Sequence, residues 1–423
     1  MTKQVSLPVN EKIKKLPFLE LLLVIFFLWY YLLPSASNSV PFMLALGVGI
    51  LYIVYVILMC GPSPKAFTTL LKLLFVVLFV ALCYYVFTVT KTVSDRVENY
   101  ELKRFISKFQ QLFFTALPLL FTYRVFLKGT KKQKLFLLLF AAVMILYVIA
   151  QSLEELATNA TASRVWGEFA EMSEKNVGTY NFVYAVAIAL PAVFALAQYV
   201  KKWPIKLLLF ALFVLGIVFL VQAQYTISII ITVVLCFASL LLGAKRLVTK
   251  AVVVAVCPLL FILLPDILTF VATHIVGESA GIRLLEIAEY FTGEAVGYNL
   301  SGRLTLYQQT LKNFFAHPLF GNATVDYDGH ATFLTVLADL GLFGGIPFYY
   351  LYFSMRKHIG LLLDKNKVMV RCFMFSFLAV ILTGFLNPIH AALPLPMVAW
   401  FVIPLAVGVL LNETEKDDGK MEE

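Results

Sequence analysis

The sequence predicts an all-α, polytopic membrane protein, and three observations lead to this fold class. Hydrophobic residues make up 61% of the 423 residues, and charged residues only 14%. The mean hydropathy is +0.87. Apolar runs of about 20 residues, the length that crosses a bilayer as a helix, recur from one end of the chain to the other. Because lipid cannot satisfy backbone hydrogen bonds, uninterrupted runs of this kind favour helices.

The apolar runs indicate about twelve transmembrane helices. Their predicted bounds are 16–34, 41–59, 67–90, 107–127, 134–152, 181–200, 205–222, 224–243, 249–271, 332–354, 369–387 and 397–411. Lys and Arg concentrate in every second loop, which predicts that those loops and both termini are cytoplasmic. The formal net charge of +9 is therefore mainly a topology signal, and no basic soluble face is left that would bind nucleic acid.

No linker divides the chain, so we expect one transmembrane domain over residues 1–411 and a disordered cytoplasmic tail over 412–423. A large outer loop, 272–331, lies between the ninth and tenth predicted spans. Its segments "IRLLEIAEYF" and "RLTLYQQTLKNFF" have helical spacing. They are expected to form amphipathic helices that lie against the outer surface.

The cysteines predict neither a disulfide framework nor a metal site. All five lie in or beside apolar runs, and none belongs to a C-x-x-C pair. We interpret them as small core residues and expect no cofactor.

Charged residues are rare inside the predicted spans. The main ones are Glu20, Lys72, Arg124, Asp266 and Asp339. Such residues are functional candidates by default because a charge in lipid is costly. Glu20, Lys72 and Arg124 lie close enough to a span end to snorkel to the interface. For Asp339 we favour a structural role within its span.

The outer side of the protein carries most of the residues that are capable of chemistry. They are Arg283, Arg303, Tyr307, His317, Asp326, Asp328 and His330. Arg283 is also spaced to pair with Glu286 on an exposed helix. Asp326 and Asp328 have the D-x-D spacing with which enzymes of nucleotide sugars hold a divalent ion. Those sugars are cytoplasmic, so here a solvated acidic turn, or one that orients His330, is the better reading.

Two neighbouring motifs resemble a known family. "SGRLTLYQQTLKNFFAHPLFG" (301–321) and "GHATFLTVLADLGLFGG" (329–345) are similar to the signature region of the O-antigen ligase and Wzy-type polysaccharide polymerase family. That pattern has S/T-x-R, then H-P-L-x-G, then a histidine that opens H-N-x-x-L-x-x-x-x-E-x-G-x-x-G. Two positions depart from it, since Ala331 replaces the asparagine and Asp339 the glutamate. We interpret Gly341, Gly344 and Gly345 as a face for close helix packing.

The resemblance implies a lipid-dependent glycosyltransferase of the GT-C kind that works without a metal ion. By position, Arg303 would contact the donor's diphosphate and His330 the acceptor hydroxyl. The family also often has an arginine at the outer end of a mid-chain span, where this chain has "VQAQYTIS" (221–228) and Gln224. Arg283 and Arg164 are the candidates for the missing charge. Asp326, Asp328, Tyr307 and Gln224 are candidates for orienting the sugar or the acceptor.

The same chemistry can be argued from the residue types. Diphosphate is a good leaving group, so the reaction needs cations near the departing oxygens and one base for the acceptor's proton. Arginine presents a planar fork that suits phosphate, and a histidine is a workable base at neutral pH. Hydrolysis of a glycosidic bond usually needs two carboxylates instead.

Three functions are weighed for this chain. The first is an inverting polymerase at the outer leaflet of the cytoplasmic membrane, which joins undecaprenyl-diphosphate-linked repeat units into a surface polysaccharide and could work with a chain-length regulator. The second is a ligase that moves the finished glycan to another acceptor. The third is a flippase or transporter, which also suits about twelve spans. Transporters usually show paired halves with broken helices near the midplane, and the sequence has no strong internal repeat.

Overall fold

The structure is a computed structural model and is helical wherever it describes the chain in regular elements. It describes residues 15–60, 64–89, 100–159, 162–163, 169–243, 262–274, 281–282, 285, 288–289, 292, 298–322, 331–363, 366–389 and 393–418. Within these ranges there is no β-strand.

The N-terminal part of the described chain contains a series of helices. They are α1 (Phe18–Leu32), α2 (Pro34–Ser39), α3 (Phe42–Cys60), α4 (Pro64–Val89), α5 (Tyr100–Lys128), α6 (Lys131–Thr158) and α7 (Phe169–Glu174). The remaining helices are α8 (Tyr180–Tyr199), α9 (Trp203–Gln222), α10 (Thr226–Gly243), α11 (Leu264–His274), α12 (Tyr298–Ala316), α13 (Thr332–Leu363), α14 (Lys367–Leu386), α15 (Pro394–Met397) and α16 (Ile403–Asp418). A π-helical turn, Val398–Val402, joins α15 to α16.

Six helices in the described part of the chain are long and apolar enough to cross a membrane. They are Lys131–Thr158, Tyr180–Tyr199, Trp203–Gln222, Thr332–Leu363, Lys367–Leu386 and Pro394–Leu411. Shorter apolar helices are Phe18–Leu32, Phe42–Leu58, Leu71–Phe87 and Ile227–Gly243. The predicted class, a helical protein embedded in a membrane, is confirmed. The number of about twelve spans and the sidedness stay predictions.

Several predicted segments differ in extent from the helices observed. The predicted spans 107–127, 134–152 and 332–354 are all shorter than α5, α6 and α13. The ninth predicted span, 249–271, lies largely outside the described residues, and its last part belongs to α11. The C-terminal helix continues to Asp418, into the segment 412–423 that was expected to be disordered. The residues after Leu411 include Glu and Lys, which are good helix formers and can prolong an existing helix.

The centre of the bundle is built around α8. This helix packs against α9, α10 and α14, and most of its residues are buried. Its sequence is rich in alanine, and small side chains allow neighbouring helices to approach closely. By contrast, only 28% of the apolar window of α6 and 22% of that of α9 are buried, as expected of helices that face lipid.

Glu20 and Arg124 form a buried ion pair, so the expectation that they snorkel to the interface is wrong. Arg124 Nε lies 2.6 Å from Glu20 Oε1, and Arg124 Nη2 lies 2.7 Å from Glu20 Oε2. Tyr52 Oη donates a further hydrogen bond of 3.0 Å to Glu20 Oε1. Glu20 is 0% exposed and Arg124 is 7% exposed. Both charges stay inside because each is satisfied by the other.

Three of the cysteines agree with the sequence interpretation. Cys83, Cys236 and Cys372 are free and buried. Among the other charged residues expected in spans, Lys72 is exposed on α4, and Asp266 is exposed in the first turn of α11.

Candidate functional site

The helix α13 is broken near its start, and a turn from the preceding segment fills the break. Gly341 has φ 58° and ψ −159°, which no α-helix allows. The amides after the break, those of Leu342 and Phe343, therefore need acceptors outside their own helix. Leu342 N donates to Pro318 O at 2.8 Å, and Phe343 N donates to Leu319 O at 3.0 Å. The H-P-L-F-G turn thus supplies the carbonyls that the helix lacks.

α13 in turn provides a carbonyl that accepts hydrogen bonds from the preceding segment. The break leaves the carbonyl of Ala338 without its usual partner four residues later. This oxygen accepts a hydrogen bond from Asn322 N at 2.7 Å and another from Asn313 Nδ2 at 3.1 Å. The two sequence motifs are therefore parts of one backbone structure, which fixes the end of α12 against α13.

Two glycines make this close approach possible. Gly321 has φ 65°, and a Cβ at this position would meet the backbone of Asp339. A Cβ at Gly341 would meet the backbone of Leu319. Interpreting Gly341 only as part of a packing face is therefore wrong, because its backbone conformation and its contact with the turn both require glycine.

We expect Gly341→Ala to destabilise the protein and to displace the turn. The left-handed conformation alone costs a non-glycine residue about 1–3 kcal/mol, and the contact with the backbone of Leu319 adds to this cost. Gly360→Ala, in the same helix with nothing near its Cβ position, is the matched control. Thermal unfolding in detergent should show a lower Tm for Gly341→Ala only. Equal Tm values for the two variants would contradict this account of the break.

Arg303 and Tyr307 fasten α12 to the C-terminal end of α14. They lie one helical turn apart and so point to the same side of α12. Arg303 Nη1 donates to Asn387 Oδ1 at 3.0 Å, and Tyr307 Oη donates to Leu386 O at 2.6 Å. Burial raises the pKa of Tyr307, and the nearby Arg303 partly opposes this change. The phenol therefore stays protonated at neutral pH and acts as a donor.

Asn387 is the hub of this region. Besides the bond from Arg303, its Oδ1 accepts one from Tyr184 Oη of α8 at 3.1 Å. Its backbone carbonyl accepts from Thr332 N, the first residue of α13, at 3.2 Å. The side chain of Thr332 in turn accepts from Ile389 N at 2.7 Å. One residue therefore links the described ends of α8, α12, α13 and α14.

In the side-chain amide of Asn387, the oxygen has hydrogen-bond partners and the nitrogen has none among the described residues. The residue is 2% exposed, and its Nδ2 has no hydrogen-bond partner among the described residues. Tyr184 Oη and Arg303 Nη1 both donate to Oδ1, which fixes the orientation of the amide. A buried donor without a partner is uncommon and is a candidate for a functional role.

The turn that contains Gln224 lies next to this hub. Gln224 is buried and has φ 60°, and it connects α9 to α10. The adjacent Tyr225 packs edge-on against Tyr184, with ring centroids 5.6 Å apart. Tyr225 Oη donates to the carbonyl of Ser163 at 3.1 Å. Arg303 is thus connected through Asn387 and Tyr184 to Tyr225, the residue after Gln224, and Tyr307 binds the adjacent Leu386.

A second group of charges consists of Asp339 of α13 and Arg104 and Lys108 of α5. Arg104 Nη2 of α5 is 3.4 Å from Asp339 Oδ2, which agrees with the expected structural role of Asp339. Both Arg104 and Lys108 lie over the ring of Tyr84, at 5.3 Å and 5.0 Å from its centroid. Such contacts stabilise cations in partly buried positions.

Beside this group is a small cavity between α4, α5 and α13. It is lined by Tyr84, Lys108, Gln111, Leu112, Thr115, Thr332, Thr335, Val336, Phe348 and Tyr352. Its empty volume is about 430 Å³, of which about 30 Å³ can hold the centre of a water molecule. That space suits ordered water and is too small for a sugar ring.

Five of the predicted site residues fall outside the described residues. These are His330, Arg283, Arg164, Asp326 and Asp328. In the sequence, His330 stands two residues before Thr332, and Arg164 directly follows Ser163. His317, one of the outer residues that are capable of chemistry, begins the turn after α12, and its carbonyl accepts from Gly321 N at 2.9 Å.

Sequence reasoning did not identify Asn387 or Tyr184 as members of the site. Asn387 stands at the end of an apolar run and precedes a proline, which is typical of a residue that ends a helix. That signal predicts a helix end but not its partners. Tyr184 is one of 20 tyrosines and lies inside an apolar run, so nothing distinguishes it.

The described residues define a membrane-embedded, all-helical protein. Arg303, from the predicted outer loop, is held there by Asn387, which also binds Tyr184. Comparison of the chain with protein-family models and with curated proteins gives no match.

Proposed function

We propose that the protein is a membrane glycosyltransferase that polymerises glycan repeat units carried on a polyprenyl diphosphate. The observation that supports this most is the position of Arg303. Its guanidinium is bound to a neutral amide, Asn387, and is only partly buried. It therefore keeps its positive charge available to an anionic group, and a diphosphate is the anion that its planar fork suits best.

The proposed reaction is an inverting displacement at the anomeric carbon of the donor. A hydroxyl of the acceptor glycan attacks this carbon, and the bond between the carbon and the diphosphate oxygen breaks. His330 takes the hydroxyl proton as general base. Arg303 stabilises the charge that develops on the departing lipid diphosphate. The products are a glycan that is one unit longer and the free lipid diphosphate.

The neighbourhood of the Gln224 turn supports Arg164 as a second contact of the diphosphate. Tyr225 binds the carbonyl of Ser163, the residue directly before Arg164, and packs on Tyr184 of the hub. Arg283, the other candidate for this contact, lies outside the described residues. Asp326, Asp328, Tyr307 and Gln224 remain proposed as residues that orient the sugar or the acceptor.

Sidedness is part of the proposal. The active site would face the periplasm or cell exterior, where lipid carriers present completed repeat units, and the protein would reside in the cytoplasmic membrane. The partners are then a lipid-linked donor, a lipid-linked acceptor and the bilayer itself, with a chain-length regulator as a further possible partner.

The test is a reaction with purified protein in detergent and a lipid-diphosphate-linked repeat unit, with and without EDTA. We expect a ladder of products on a gel in both conditions. A single transfer to a non-polymeric acceptor would instead favour the ligase. A protein that is folded and makes no product with either acceptor would overturn the proposal, and a ladder that EDTA abolishes would overturn its metal-free form.

A further inference from the structure

The C-terminal end of α14 offers carbonyl groups to its neighbours because the sequence stops the helix there. Asn387 precedes Pro388, and a residue before proline avoids the helical conformation. Asn387 accordingly has φ −146° and ψ 159°, which is extended. Carbonyls at the end of a helix need partners from outside it. Leu386 O accepts from Tyr307 Oη of α12 at 2.6 Å, and Asn387 O accepts from Thr332 N of α13 at 3.2 Å.

Asn387 holds α12 and α13 with different parts of itself. Its side-chain oxygen accepts from Arg303 Nη1 of α12 at 3.0 Å, whereas its main-chain carbonyl binds Thr332 of α13. Ile389 N returns a hydrogen bond of 2.7 Å to Thr332 Oγ1, so the attachment to α13 is doubled. Asn387, Ile389 and Thr332 are all buried, and water therefore competes little with these bonds. Arg303 and the start of α13 are thus held at a nearly fixed separation.

The two attached elements carry the two groups that the proposed reaction requires. Arg303 is the proposed contact of the departing diphosphate. His330, the proposed base, precedes Thr332 by two residues in the sequence, and the length of chain between them limits their separation. A misplacement of about 1 Å between reacting groups can cost about 10²-fold in rate. A fixed separation between Arg303 and the start of α13 therefore has catalytic value.

We propose that Asn387 is a positioning residue, which sets the distance between Arg303 at the donor and the start of α13 at the acceptor. This inference rests on the proposed function, because the two groups are those of the glycosyl transfer. Asn387 acts through Arg303, whose guanidinium it orients with Oδ1. Tyr184 Oη of α8 donates to the same oxygen at 3.1 Å and so fixes the amide.

The test is a double-mutant cycle of Asn387→Ala and Arg303→Ala in the purified full-length protein. It is read by binding of labelled undecaprenyl diphosphate and by the rate of glycan transfer. Alanine adopts the extended conformation of position 387, so the bond from Thr332 N is kept. Without its partner the guanidinium must be ordered by the ligand. We therefore expect Asn387→Ala to weaken binding by about 2- to 12-fold and to lower the rate by about 10- to 100-fold.

The coupling between the two substitutions is the decisive result. In the Arg303→Ala background, Asn387→Ala should change binding and rate by no more than about twofold, since no guanidinium is left to position. Equal losses from Asn387→Ala in both backgrounds would show that Asn387 only supports the fold, and would overturn the inference. Unchanged binding and rate in Asn387→Ala alone would overturn it as well.

Gln133→Ala is the control for a loss of stability alone. Gln133 is also a buried amide, and it binds both backbone groups of Leu16 at the start of α6. This variant should lower the Tm while binding and rate stay within about twofold of the unmodified protein. Should Asn387→Ala fail to fold, Asn387→Ser, which shortens the side chain and withdraws its oxygen from Arg303, replaces it in the cycle.

The two measurements also separate this inference from the proposed function. A protein that polymerises glycan while the cycle is additive would contradict the positioning role only. A protein that makes no glycan but binds undecaprenyl diphosphate with the expected coupling would contradict the proposed reaction, and would still support Asn387 as the residue that positions Arg303 at a lipid diphosphate. A folded protein that neither binds the lipid nor makes glycan would overturn both.

Discussion

Removing one charge of the buried Glu20–Arg124 pair is expected to destabilise the protein by about 3–5 kcal/mol. In Arg124→Ala the carboxylate of Glu20 would remain fully buried with only Tyr52 as a described neutral donor, so it must lose its charge or draw in water. In Glu20→Ala the guanidinium would be left without the two bonds of 2.6 Å and 2.7 Å. The measurement is the free energy of unfolding, or the Tm, of each variant in detergent.

The double variant distinguishes a paired charge from a simple loss of packing. Replacing both members by apolar residues of similar size, as in Glu20→Leu/Arg124→Met, should recover most of the lost stability, because no uncompensated charge remains. The exposed pair of Lys175 and Glu171, 3.0 Å apart, provides the control. Lys175→Ala should leave the Tm unchanged, since solvent screens an exposed pair. A double variant as unstable as either single variant would contradict the account.

Hydropathy predicts where several of the described helices lie to within about two residues. The predicted span 181–200 corresponds to α8 at Tyr180–Tyr199, and 369–387 corresponds to α14 at Lys367–Leu386. The reason is physical, since a helix in lipid needs a continuous apolar stretch of fixed length. Helix ends are also marked locally, as by the asparagine and proline after α14.

Hydropathy does not predict which helices are neighbours. Lipid tails and apolar side chains are alike in polarity, so the pattern along one helix does not reveal its partner. Glu20 and Arg124 are 104 residues apart and looked like two separate snorkelling charges. The same limit applies to Arg303 and Asn387, whose contact spans 84 residues.

The break in α13 shows a different limit. "LGLFGG" is equally typical of a packing face and of an interrupted helix, because glycine permits both. The turn at Pro318 and Leu319 decides between them, since its carbonyls replace those missing in the helix. Sequence spacing alone carries no information on such reciprocal backbone pairing.

Loss of activity in Arg303→Ala and His330→Ala is the second large effect that we expect. Removing a preorganised donor to a developing negative charge typically costs about 10²–10³ in rate. Removing a general base costs about 10²–10⁴. Both variants should therefore lose glycan transfer in the gel assay while they keep the Tm of a folded protein. Lys312→Ala, which removes an exposed cation from the same helix α12, is the matched control and should retain activity.

The hub residue Asn387 allows a sharper test of Arg303. Asn387→Asp keeps an oxygen for the guanidinium and for Tyr184, but it places a carboxylate where a neutral amide now binds Arg303 at 3.0 Å. The carboxylate would compete with the diphosphate for the same cation. We therefore expect KM for the lipid-diphosphate donor to rise at least about tenfold while the protein remains folded. A normal KM in Asn387→Asp, together with full activity in Arg303→Ala, would remove Arg303 from the donor site.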